Sequence, residues 1–489
     1  MDMGRFQYFL FFALLFYSVA VEAQSNPPAS FGPCPTEAQV RWQRMEMNMF
    51  CHFGPNTFSG KEWGSGNESA DMFNPSQLDC NQWVAVAKGA GFKGIIITAK
   101  HHDGFCLWPN PASGHTVRES SWRNGEGDVL LELSQACRKG DIKFGVYISP
   151  WDRNDPTYGT PQYNATFLRT LEHALTRYGE IFEQWFDGAN GEGPSGKKQE
   201  YDWSLFNRTV MRLQPQALIF SDVGPGCHWM GNERGVNGET CWSRLNTDGY
   251  QPGPFAPPVA LLNQGERDGK YYIPAEVDVS IRPGWFHHRC EHPKTVQQLL
   301  GIYYSSVGRN SVLLLNVPPD RRGLIDAEDS ARVMEFRAAL DSIFGNDLAR
   351  HAYVYASNVR GGGAWNFRAA NVTDTNYHKY WAVDNGCLHP TLTLSFAQPV
   401  TFNRVMLQEY IPLGQRVENF EVLVLRNGKW EVIATPTTIG YKRILLTPTY
   451  TTKGVRIRFT GCRACPIINR VGLFLDNIYQ GNTSDNINY

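Results

Sequence analysis

Several short stretches of this chain set ionisable and aromatic side chains at the ends of apolar, strand-like runs. They are His52-Phe53-Gly54-Pro55-Asn56, Lys100-His101-His102-Asp103-Gly104-Phe105, Tyr147-Ile148-Ser149-Pro150-Trp151, Trp185-Phe186-Asp187-Gly188 and Arg282-Pro283-Gly284-Trp285-Phe286. A sixth, Gly231-Asn232-Glu233, lies in the long connection that follows a run ending near Asp222. Two carboxyl groups from different strand ends, with histidines and indoles around them, fit glycoside hydrolysis. One carboxylate attacks or activates water, and one carboxylic acid protonates the leaving oxygen. Histidines can bond sugar hydroxyls while Trp faces cover the apolar face of a sugar ring. Plainer roles exist for each group. Asp187 before Gly188 also reads as a turn or cap residue, a lone strand-end His as a hydrogen-bonded structural residue, and Glu233 as part of a solvent loop. Neighbouring strand residues such as His101 and His102 point to opposite faces unless the strand bends. With no His-Glu-x-x-His pattern present, no metal site is expected. No nucleophilic-serine elbow and no phosphate loop occurs, and no cofactor is implied.

These groups reach one rim only if the runs are parallel strands. From about residue 47 to 318, strand-like and helical segments alternate. Strands are predicted at 47–53, 94–99, 143–149, 181–186, 217–221, 271–281 and 311–317, with helices at 81–89, 128–139, 165–178, 203–213 and 295–307. Alternation of this kind means parallel strands with crossover helices. So many units favour a closed (β/α)8-like barrel, whose functional residues sit at the C-terminal strand ends. After a helix at 327–344 the runs become short, β-branched and alternating, as at 391–396, 420–425 and 455–459. This predicts an all-β sandwich. The expected organisation is a signal peptide at 1–23, a catalytic barrel at 24–345, a β-sandwich at 346–480 and a polar tail at 481–489.

Composition narrows the partners. The 46 Lys and Arg balance 47 Asp and Glu, giving a net charge of −1, so the basic excess of a nucleic-acid binder is absent. The chain carries 14 Trp; most of these are expected in the core. Arg5, the apolar run 8–21 and Val21-Glu22-Ala23 read as a secretory signal peptide, too short to span a bilayer. The expectation is a secreted protein with no membrane attachment after signal removal, in the apoplast if the source is a plant. Acceptor sequons at Asn67, Asn164, Asn207, Asn371 and Asn482 agree with that. An oxidising compartment favours disulfides. The 11 cysteines leave at least one unpaired, and Cys462 and Cys465, as a Cys-x-x-Cys, are expected to form a tight disulfide.

Taken in order, the strand-end motifs, together with Glu62-Trp63, resemble glycoside hydrolase family 29, the α-L-fucosidases. They are most similar to secreted plant members of the branch acting on 1,3- and 1,4-linked fucose. The second domain resembles a galactose-binding, discoidin-like sandwich in texture. The resemblance implies a retaining mechanism through a covalent fucosyl-enzyme, with Asp187 as nucleophile and Glu233 as acid/base, Glu239 being the fallback. It implies that His52, Glu62, Trp63, His101, His102, Tyr147 and Trp185 line a fucose pocket and that Trp285 packs on the sugar. The substrate would be a fucosylated oligosaccharide or glycoprotein glycan. One departure is Cys51, an unexpected thiol beside His52. Two other readings stay open: a non-catalytic carbohydrate-binding protein on a decayed barrel, and a glycosidase for another deoxy sugar or a galactoside.

Overall fold

A computed structural model describes residues 26–481. The expected signal peptide, the sequon at Asn482 and all but the first residue of the expected tail lie outside the described residues. Eight parallel strands close a barrel: β1 (Met47–Cys51), β2 (Gly94–Lys100), β3 (Lys143–Ile148), β4 (Glu183–Trp185), β5 (Leu218–Ser221), β6 (Cys227–Trp229), β9 (Ala275–Ser280) and β10 (Ser311–Asn316). Their order around the barrel is β1-β10-β9-β6-β5-β4-β3-β2. Two short strands, β7 (Arg244–Leu245) and β8 (Tyr271–Tyr272), pair antiparallel outside it.

The pleat sorts each strand into two faces. In β2, Ile95, Ile97 and Ala99 pack on the helices, while Ile96 enters the barrel with Phe50, Tyr147 and Trp185. That two-sided burial explains why the run is apolar throughout. The same alternation disposes of Cys51. It faces the helix layer with Ile97 and Cys137, whereas Phe50 and His52 face inward with ring centroids 4.5 Å apart. The thiol is therefore not in the pocket.

Four of the crossover helices begin at side-chain caps: Asp79 for Cys80–Gly89, Asp128 for Val129–Gly140, Asp202 for Trp203–Leu213 and Thr295 for Val296–Ser305. Two features depart from the sequence expectation. The run 271–281 is two strands broken at Pro274, because proline cannot donate to a ladder. The three residues of β6 lie in what reads as a long connection.

The second domain is antiparallel: β12 (Trp381–Ala382), β17 (Ile467–Phe474), β13 (Thr391–Glu409), β16 (Arg443–Cys462), β14 (Val417–Arg426) and β15 (Lys429–Ala434) in that order, with β11 (Tyr353–Ala356) on β13. β13 and β16 are long and carry register shifts, so one pair serves both halves of the fold over a core that includes Trp381, Phe402, Ile457 and Phe459. All eleven cysteines are free thiols. The expected Cys462–Cys465 disulfide is not formed; both residues are buried, and Arg416 Nη1 lies 3.4 Å from Cys465 Sγ. No helix among the described residues is long and apolar enough to cross a membrane.

Candidate active site

Adjacent His101 and His102 serve one site. β2 ends at Lys100, and its register against β3 slips between Thr98 and Lys100. The strand bends there, and both rings turn inward with centroids 4.2 Å apart. Buried Lys100 fixes the bend: its ammonium pairs with Asp152 at 3.0 Å and donates to Ser149 O and Trp151 O. Asp103 joins this loop to the one after β1, accepting from Phe105 N at 2.8 Å and Asn56 Nδ2 at 3.2 Å. Burial pushes its carboxyl up to about 7.

Asp187 stands just past the end of β4. Its Oδ1 accepts the Ala189 N–H at 2.8 Å, so the turn reading holds for that oxygen. Its Oδ2 accepts the Tyr147 hydroxyl at 2.9 Å and lies 3.6 Å from His102 Nε2. Gly188 is required here, because a Cβ would stand 2.1 Å from Asp222 Oδ2. Tyr147 in turn stacks on Trp185 at 5.2 Å and on His101 at 5.7 Å.

The hydrogen-bond network sets the imidazole tautomers. Ser149 Oγ donates to Trp151 O, so it accepts from His102 Nδ1 at 2.8 Å, leaving the Nε2 lone pair toward Asp187. Asn316 Nδ2 donates to Ser280 Oγ and Trp285 O, so its Oδ1 accepts from His52 Nδ1 at 2.9 Å. His101 Nδ1 is buried without a protein partner. Burial holds all three imidazoles neutral, lowering His52 to about 3 and His102 to about 4, with His101 also well below its ordinary value.

A stability effect follows. An unfolded histidine takes up a proton below about pH 6.5, whereas folded His52 resists until about 3. Its contribution is therefore complete above about pH 6.5 and is lost as pH falls, at about 1.4 kcal/mol per pH unit. His52→Gln should flatten the fall in unfolding free energy between about pH 6 and pH 4 by about that slope. Urea titrations at several pH values measure it, and parallel curves for the two proteins would sink the idea.

Glu62 and Trp285 close one wall. Glu62 Oε2 accepts the Trp285 N–H at 2.7 Å and Oε1 meets His288 Nε2 at 2.5 Å. A Cβ on Gly284 would lie 2.6 Å from that Oε1, so glycine lets the carboxylate approach. Arg282 anchors the loop through both oxygens of buried Asp329, at 3.0 and 2.8 Å. Trp285 lies over His52, centroids 4.9 Å apart, and its Nε1 donates to Glu233 Oε2 at 3.3 Å. Trp63 is 57% exposed and stands edge-on to His102 and Trp151.

Asp187 and Glu233 line one cavity of about 570 Å³, with Asp222, Trp229 and Asp278. Partial burial raises the Glu233 carboxyl; the Trp285 hydrogen bond opposes this and the Asp187 charge adds to it. Glu239 is elsewhere, paired with Arg309 at 3.1 Å and Arg443 at 3.9 Å. Asp278 and Asp222 belong to the site although neither is in the expected set. Burial raises both, Asp222 to about 6 and Asp278 well above its ordinary value. The signal for Asp278 is the alternation Glu276-x-Asp278-x-Ser280 within an otherwise apolar run. His288 lies two residues beyond the Arg282–Phe286 motif.

The sequons fare unequally. Asn67 is exposed, and Asn164 and Asn207 are partly exposed. Asn371 is buried, and its amide donates to Asn366 O and Tyr380 O at 2.8 and 2.9 Å, so that nitrogen has no room for a glycan.

The family model described as Alpha-L-fucosidase matches residues 23–341, and that of the F5/8 type C domain matches residues 354–471. The chain is 42% identical to Alpha-L-fucosidase 1 of Arabidopsis thaliana over 96% of this chain and 93% of that one. A Ruminococcus gnavus GH29 fucosidase solved in complex with fucose superposes with a TM-score of 0.84 at 33% identity, covering 92% of this chain and 96% of that one. The crystal structure of SpGH29 gives a TM-score of 0.87 at 38% identity, over 92% of this chain and all of that one.

Proposed function

The chain belongs to the α-L-fucosidases of glycoside hydrolase family 29, and from that premise we propose that it releases terminal 1,3- or 1,4-linked α-L-fucose with retention. Asp187 attacks the anomeric carbon and Glu233 protonates the leaving oxygen. A covalent fucosyl-enzyme forms, and Glu233, now a base, draws a proton from the water that hydrolyses it. The observation that carries this reading is the setting of Asp187. One carboxylate oxygen is fixed by a backbone N–H and the other by Tyr147, at the barrel mouth and on the same cavity as Glu233.

The remaining residues bind and orient. The Nε2 lone pairs of neutral His52 and His102 suit sugar hydroxyls. Trp63, Trp185 and Trp285 supply apolar faces suited to the C6 methyl that distinguishes fucose. Glu62 holds the Trp285 backbone, so its effect on sugar binding includes placing that wall. The alternative, a carbohydrate-binding protein without turnover, is disfavoured because both carboxyl groups and the tyrosine that orients Asp187 are in place.

The linkage assignment is tested with defined 2-, 3-, 4- and 6-fucosylated oligosaccharides. Release from the 3- and 4-linked forms is expected to exceed release from the 2- and 6-linked forms by about tenfold or more, since one or two lost contacts are worth that much. Equal rates on all four would remove it. We also propose secretion, with glycans at Asn67, Asn164 and Asn207. Peptide mapping after glycan removal reads each site.

A further inference from the structure

Beneath the catalytic mouth, two glutamates point into the barrel without serving the proposed chemistry. Glu183 on β4 and Glu276 on β9 are fully buried, and their carboxyl oxygens lie with Cys227 Sγ within 4.8 Å of one another. Glu183 Oε2 accepts from Trp42 Nε1 at 2.7 Å, and its Oε1 accepts from the Cys227 thiol at 3.6 Å. Glu276 Oε1 accepts from Trp185 Nε1 at 2.9 Å, while its Oε2 has no donor directed at it. Neither carboxyl has a cation among the groups that perturb it.

We propose that Glu183 and Glu276 share one proton and, as a positioning pair, hold Trp185 and through it the Asp187 carboxylate. Asp187 enters here as the nucleophile of the reading above. Protons and acceptors in the pair must match. With both groups ionised, two negative charges sit in an apolar interior with no counter-ion, which is prohibitively costly. With both neutral, two hydroxyls compete for one facing oxygen, and one is left unpaired. With one proton, the Glu276 Oε2 hydroxyl donates to Glu183, and every oxygen has a role. The remaining charge on Glu183 then receives Trp42 N–H, Cys227 S–H and the shared O–H. Burial raises both carboxyls, Glu183 to about 7 and Glu276 well above its ordinary value, in keeping with a retained proton.

The pair reaches the reaction through Trp185. The indole is fixed at Nε1 by Glu276 and lies flat on Phe220, centroids 3.9 Å apart at 9°. Its other ring neighbours are Phe50 and Tyr147, and the Tyr147 hydroxyl donates to Asp187 Oδ2. Releasing the indole N–H lets the ring rotate, and Tyr147 loses the surface that sets its angle.

The test compares Glu276→Met with Glu276→Gln. Methionine keeps the volume and removes the hydrogen bonds. Glutamine reproduces the protonated acid, its oxygen accepting from Trp185 and its NH₂ donating to Glu183. E276M should lower kcat about 10- to 100-fold with KM for an aryl fucoside changed far less, the signature of a misplaced reacting group. E276Q should restore most of that loss. The infrared difference spectrum of wild type minus E276Q at neutral pH should show a carboxylic-acid C=O band. Equal kcat in all three proteins, equal losses in both variants, or no acid band would overturn the proposal. So would a stoichiometric metal ion in the purified protein, because the same three side chains would then be ligands. If E276M does not fold, the infrared band and E276Q decide. The band reports the proton whatever Asp187 does, so a wrong nucleophile leaves it in place, whereas a wrong pair removes it.

Discussion

Asp187→Ala is expected to lower kcat/KM by at least about four orders of magnitude on every fucoside, since removal of a covalent nucleophile forfeits the whole two-step route. The folded state should survive. The variant leaves the Ala189 N–H and the Tyr147 hydroxyl without their acceptor, a cost of about 1–3 kcal/mol per buried group. A thermal melt therefore separates lost chemistry from lost structure. Azide supplies the sharper readout. A small anion can occupy the space vacated by the carboxylate and attack the same face, so the rescued product should be the β-configured fucosyl azide. Residual activity within tenfold of wild type, or a rescued product of α configuration, would show that Asp187 is not the nucleophile.

The second large effect belongs to Glu233. Glu233→Gln should cost about 10²- to 10⁴-fold on a glycan, whose sugar leaving group needs a proton. An aryl fucoside with an acidic phenol departs unaided, so its first step should be nearly spared. The pH profile follows from the same group. Partial burial raises the Glu233 carboxyl, so the acid stays protonated above the usual carboxylate range, and activity falls as pH rises through that raised value. E233Q should lose this basic limb. Glu239→Ala, in contrast, should keep kcat/KM within about twofold, because it removes only the ion pairs that this exposed carboxylate makes with Arg309 and Arg443. A large loss in E239A together with a mild one in E233Q would reverse the assignment.

The chemistry was legible where a strand end carries it. A carboxylate after Trp185-Phe186 and paired histidines after an all-apolar strand announce a barrel mouth, because the backbone period aims those positions and the buried run can only be a covered strand. Legibility failed where the partner is distant in the chain. Glu233 and Glu239 lie six residues apart in one Gly-rich connection; the Gly231-Asn232-Glu233 motif favours the first, and only the fold shows Trp285 beside one and Arg309 beside the other. Asn371 satisfies its sequon, yet the fold consumes its amide hydrogens in the backbone of residues 366 and 380. Cys462 and Cys465 have disulfide spacing, yet remain thiols, with Cys465 beside the Arg416 guanidinium. Strand β6 has three residues, too few for any period to register.

The sequence by itself thus determined the layers: a parallel barrel, an all-β partner, and a rim of carboxyl, imidazole and indole groups. Those follow from periodicity and strand ends, which are local properties of the chain. Only the tertiary structure decided which groups meet. It brought Asp222, Asp278 and His288 to the rim, removed Glu239 and Cys51 from it, and placed Glu276 under Trp185. Barrel closure does this because it sets strands distant in sequence face to face across a buried interior, where a polar atom left without a partner is costly.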